Sequence, residues 1–139
     1  MAMDTKLQRL NALLDTLVSY EKRRKENLEK MHELYKKLQI DQKVGSFEEL
    51  FDFSAINLLG INLQPPHLGQ IQPHRYAQII GIKNSKNINL GYFGRTENLS
   101  KELKHDIVSF VLGWRLEKSF KVVDRYDKIL KEWNETEVE

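Results

Sequence analysis

Along the first part of the chain, apolar residues return at alternating steps of four and three. They are Met3, Leu7, Leu10, Leu14 and Leu17, then Leu28, Met31, Tyr35 and Leu38, with Glu21 and Arg24 in the two intervening places. That spacing is a heptad repeat with one charged interruption, and it predicts a coiled-coil helix from Asp4 to about Ile40. The interior holds neither Gly nor Pro, Asp4 is placed to cap the start, and Gly45 is placed to end it in a left-handed turn. At about 1.5 Å per residue such a rod is roughly 55 Å long. Each seam leucine left in water forgoes roughly 2 kcal/mol of burial, so the seam needs a partner helix, in this chain or in another copy.

The pattern then changes. Ser46-Phe47-Glu48-Glu49 has the form of a capping box and predicts a short helix toward Gly60, with Phe47, Leu50, Phe51, Leu58 and Leu59 on one face. Residues 61–75 contain Pro65, Pro66 and Pro73, which forbid a helix and predict a connection running over the surface. Tyr76 to Ile82 and Ile88 to Phe93 alternate as strands do, with a turn at Lys83 to Asn87. This is a β-hairpin. The alternation groups Tyr76, Ile80 and Ile82 with Ile88, Leu90 and Tyr92, and sets Ala77, Ile79 and Gly81 with Gly91 and Phe93 on the other face. A lone hairpin is marginal in water, so a third short strand is expected from residues 61–72 or from another chain.

Thr96 is read as the N-cap of a last helix reaching about Trp133. One stripe on it is Leu99, Leu103, Ile107, Phe110 and Trp114. A second, heptad-spaced, is Leu112, Leu116, Val123, Tyr126, Leu130 and Trp133, with Ser119 as its one polar member. The first half should cover the hairpin, and the second should leave the core as an arm. Gly113 is the place for a bend or a close helix contact.

The fold class that follows is α+β, mostly α. Two long heptad-bearing helices, N- and C-terminal, flank a small head of one short helix and a β-hairpin. Residues 1–44 form the coiled-coil helix, and residues 45–139 form the head (about 45–112) continuing into a C-terminal helical arm (about 112–134).

Composition narrows the function classes. The chain has 139 residues, no cysteine and a formal net charge of +2. Without cysteine there is no disulfide framework and no thiol chemistry, which fits an intracellular protein of cytoplasm or nucleus. The start lacks the basic, apolar, small-residue order of a secretion signal, and no apolar run is long enough to span a bilayer. Residues 1–45 carry ten Lys/Arg against seven Asp/Glu, and residues 97–139 carry eight against ten. The two ends therefore bear opposite net charge, which lets the terminal helices lie together without repulsion.

No glycine-rich phosphate loop, His-Glu-x-x-His or nucleophile elbow occurs, so no catalysis, cofactor or metal is expected. The expected function is a non-catalytic oligomerising protein-interaction module, a coiled-coil homodimer or a helical bundle, whose small α/β head binds another protein. Its oligomerisation residues are Leu7, Leu10, Leu14, Leu17, Leu28, Met31, Tyr35, Leu38, Leu116, Val123, Tyr126, Leu130 and Trp133. The proline-rich loop and the hairpin supply candidate partner-binding groups: Gln64, His67, Gln70, Gln72, His74, Arg75 and Tyr92. The alternative is a small nucleic-acid-binding regulator. It would grip phosphates with Lys22, Arg23, Arg24 and Lys25 and lay Lys83, Lys86 and Arg95 of the hairpin in a groove, as β-ribbons do.

Overall fold

The computed structural model describes the backbone of residues 2–137 and the side chains of residues 5–136. The expectations for the side chains of Met3 and Asp4 lie outside the described residues. Helix α1 spans Ala2–Lys37. It stops earlier than Gly45: Leu38 N–H still reaches the Leu34 carbonyl at 2.9 Å, but Gln39 turns left-handed with φ 60°. The reason is burial. Ile40 is fully enclosed, and the chain must reverse at the exposed Gln39 to carry it and Val44 into the core.

The capping box at Ser46 does not form. Phe47 takes the cap position without a side-chain hydrogen bond, and only a 3-10 turn follows, Glu48–Asp52. The next residues are a strand, β1, Ala55–Leu59. The helical spacing of Phe47, Leu50 and Phe51 suits the turn. Beyond Ser54, pairing decides, because β1 fills the open edge of the hairpin. The third strand thus comes from residues 55–59, and residues 61–72 contribute one isolated bridge, Ile61 to Ile71.

The hairpin is β2, Tyr76–Lys83, and β3, Lys86–Arg95, giving an antiparallel sheet of order β1-β2-β3. Its turn is two residues, Asn84 and Ser85, both with positive φ (52° and 62°), as a right-twisted hairpin requires. The register slips between Ile79 and Ile80. That irregularity moves Leu90, fully buried, onto the core face beside Ala77, Ile79 and Gly81, not with Ile80 and Ile82 as strict alternation predicted. Tyr76 and Tyr92 do share the outer face, their rings 5.8 Å apart.

Thr96 is likewise not a helix cap. It begins a 3-10 turn, Thr96–Asn98, is 1% exposed, and donates its hydroxyl to the Gln72 carbonyl at 2.9 Å. Helix α2, Lys101–Glu137, is capped by Ser100, whose Oγ accepts the Leu103 N–H at 3.1 Å.

The core lies where the end of α1 and the start of α2 cross the sheet. Met31, Leu34, Tyr35, Leu38 and Ile40 pack with Leu50, Phe53, Ile56, Ile79, Leu90, Ile107, Phe110, Val111 and Trp114. Trp114 Nε1 donates to the Leu50 carbonyl at 2.7 Å, which ties the 3-10 turn to α2. The two long helices run antiparallel through this head, and Gly113 lies where they touch. A Cβ there would stand 3.0 Å from Met31 Cγ and 3.2 Å from Asn27 Oδ1, while Asn27 Nδ2 donates to the Gly113 carbonyl at 3.0 Å.

Candidate interaction surfaces

The helix pairing inside the chain ends at a charged neck. Arg24, one of the two residues interrupting the heptad, turns inward. Its Nε and Nη2 lie 3.0 and 2.9 Å from Glu117 Oε1, and its Nη1 lies 2.7 Å from Asp124 Oδ2. Hydrogen bonds that the guanidinium donates to Glu117 and then to Asp124 hold its pKa above the ordinary value. Tyr20 meets Phe120 edge-on at 4.9 Å, and the guanidinium lies 5.6 Å from the Phe120 ring centroid. At the other end of the pair, Lys37 Nζ sits 2.8 Å from both Glu102 and Asp106, and these bonds, Asp106 first, raise its pKa.

Past the neck no described residue of either arm is buried. Every described residue before Tyr20 on α1 and after Phe120 on α2 is exposed. The sequence explains the parting. On the side of α2 that carries Ile107, Phe110, Trp114 and Glu117 against α1 and the sheet, the positions beyond Phe120 are Asp124, Lys128, Lys131 and Glu135. The apolar residues of this arm lie elsewhere. At 100° per residue, Leu112, Leu116, Ser119, Val123, Tyr126, Leu130 and Trp133 face roughly 160° away from that inner side.

Each oligomerisation residue read from the sequence can now be placed. Met31, Tyr35 and Leu38 are buried in the chain's own core and so closed to a partner, and Leu28 and Leu116 are half-buried. Leu7, Leu10, Leu14 and Leu17 on α1 and Val123, Tyr126, Leu130 and Trp133 on α2 are open, each at least half exposed. Leu13 and Val18 widen the α1 stripe and Val122 and Ile129 the α2 stripe.

The proline loop is a tied excursion. Asn62 N–H bonds the Gln70 carbonyl at 2.9 Å, Gly69 N–H bonds the Asn62 carbonyl at 2.7 Å, and the Pro65-Pro66 peptide is cis. Gln64, His67 and Gln72 line a groove of about 480 Å³ with Arg115 of α2, whereas Gln70 is an exposed residue of the loop. His74 and Arg75 stand beyond the loop stem. The His74 N–H donates to the Glu97 carboxylate, and that bond, ahead of nearby Arg95, holds the Glu97 pKa below the ordinary carboxylate value. Tyr92 lines a different depression, with Lys37, Gln39 and Lys43, so the seven residues do not meet in one site.

The basic residues are also dispersed. Lys22 pairs with Glu26, Arg24 is committed to the neck, and Arg95 Nε lies 3.6 Å from Glu97, while Arg23, Lys25 and Lys86 are exposed and Lys83 half-buried. Among the described residues no three His, Asp or Glu side chains converge as a metal would require, and no helix is long and apolar enough to cross a membrane.

One surface escaped the sequence reading. Leu68 and Gly69 of the loop face Lys101, Lys104, His105, Val108 and Leu112 of α2 across a groove of about 510 Å³. Ser109 and His105 precede Leu112 at steps of three and four, so the heptad places continue into this groove as polar residues; that spacing was the available signal. No protein-family model, curated protein or solved structure matches this chain.

Proposed function

We propose that the chain is a non-catalytic oligomerising and protein-interaction module. A small α+β head holds two helical arms whose free stripes pair with other helices, first of all in copies of the same chain. The observation that carries this is the exposure of the arms: Leu7 62%, Leu10 54%, Leu14 51% and Leu17 59% on α1, and Val123 50%, Tyr126 62%, Leu130 56% and Trp133 58% on α2. Single exposed apolar residues are ordinary on any surface, but a continuous stripe at heptad spacing on an otherwise charged helix is what a partner helix covers. Helices this far from a core also gain little from propensity alone, so a partner supplies their stability. An intracellular setting goes with this reading, because a chain without cysteine builds none of the disulfides that staple small secreted domains.

Light scattering or sedimentation tests the reading directly. An assembly larger than one chain is expected at about tens of micromolar, with a melting temperature that rises with concentration. A monomer with a concentration-independent melt would refute it. The nucleic-acid reading has less support, because the inward turn of Arg24 and the pairing of Lys22 and Arg95 divide its cluster. Its test is a DNA or RNA affinity that falls steeply with salt.

A further inference from the structure

We infer that the outer stripe of α2 pairs with the same stripe of a second copy, antiparallel about a two-fold axis, and that each copy's Trp133 seats in the other's groove between α2 and Leu68. This rests on the oligomerising reading above and names the surface, the occupant and the register.

The chain's own first helix cannot be the cover. The stripe lies roughly 160° around α2 from its inner side, and beyond the neck that inner side is Asp124, Lys128, Lys131 and Glu135. The occupant must come from outside the chain, and three features fit it to a second copy. The stripe is self-complementary. In an antiparallel pair the a positions of one helix meet the d positions of the other, and one register gives every seam residue a partner without opposing charge. In it Leu116 meets Tyr126, Leu112 meets Leu130, Val123 meets Ser119 and Trp133 meets Ser109, with Val122 next to its own copy on the axis.

The groove is where that register ends. Trp133 arrives against Val108, Ser109 and Leu112 with Leu68 as the far wall, in a space of about 510 Å³ that is otherwise open. An indole is amphipathic and large, the kind of side chain that anchors an interface in such a pocket.

The exposed apolar side chains of the stripe offer roughly 600 Å² per copy, and the groove walls bring that close to the ~800 Å² per partner of a standard interface.

Cysteine trapping decides it, since the native chain has no cysteine to interfere. Full-length Leu116→Cys/Tyr126→Cys, oxidised at micromolar concentration, should run as a covalent dimer, and each single variant should not. Within one helix the two positions are about 15 Å apart, beyond the ~7 Å Cα separation a disulfide spans, so any bridge lies between copies. Both side chains sit outside the head core, and an unchanged head melt by circular dichroism checks that the variants fold. As an independent measure, Trp133→Glu should lower the dimer affinity at least tenfold while that melt persists.

Bridging by the single variants would show a parallel pair and overturn the proposal. A dimer that persists with no bridge in the double variant would overturn it while leaving the oligomerising module standing, its contact then lying on the α1 leucines. A monomer would remove both.

Discussion

Replacing Arg24 with methionine tests the physics of the neck. Glu117 is 1% exposed along its side chain, and the Arg24 guanidinium supplies both donors to its Oε1; its Oε2 has no hydrogen-bond partner among the described residues. Arg24→Met keeps the length and packing against Phe120 but leaves a buried carboxylate without its counter-charge. Removing one member of a buried pair costs about 3–5 kcal/mol, and the lower end applies because Arg24 itself is 25% exposed at the edge of the site. For a chain of this size that is a fall of roughly 10 °C in melting temperature. The double variant Arg24→Met/Glu117→Leu removes the orphaned charge as well, so it should return to within about 1 kcal/mol of the parent, a coupling of at least ~2 kcal/mol. Urea unfolding followed by circular dichroism, at one fixed protein concentration, measures all the variants. A loss under about 1 kcal/mol for Arg24→Met, or a double variant less stable than the single one, would show that Glu117 is solvated or satisfied in some other way.

At Gly113, alanine gains about 1 kcal/mol of helix propensity but meets Met31 Cγ at 3.0 Å, so Gly113→Ala should stay within about 1 kcal/mol of the parent in thermal melts. Gly113→Leu should lose at least ~2 kcal/mol by forcing the helices apart. Tyr35 is buried and donates its hydroxyl to the Val44 carbonyl; burial first, then Asp41 and the neighbouring glutamates, raises its pKa above the ordinary 10.0. A raised folded pKa contributes stability that is complete below about pH 10 and is lost as pH climbs through the folded value. Absorbance at alkaline pH should therefore show one of the five tyrosines ionising late, and Tyr35→Phe should abolish that late step.

The heptads were legible because their cause is local to a helix. Steps of four and three place side chains on one face whatever they meet, so both rods, the arms and even the charged interruption at Glu21 and Arg24 could be read from spacing. What the spacing could not say is which partner each stretch of seam takes. Leu38 and Leu10 occupy equivalent heptad places, yet one is buried beneath the head and the other is open, because α2 offers Ile107 and Phe110 to the first and Lys131 at the level of the second. The strand β1 was hidden for a related reason. Ala55-Ile56-Asn57-Leu58-Leu59 has weak β propensity, and its conformation is set by the free edge of β2, a partner distant in sequence. The same dependence misled the reading of Ser46 and Thr96. Each has the side chain of a cap, but Thr96 turns inward to the Gln72 carbonyl and leaves Ser100 to start the helix. Local chemistry thus proposed the elements, and non-local pairing chose among their faces. That asymmetry bears on the arms as well. Their inner and outer sides are equally helical, but beyond Phe120 the side of α2 turned to its own chain is charged, so the apolar side that remains is the one a second molecule can reach.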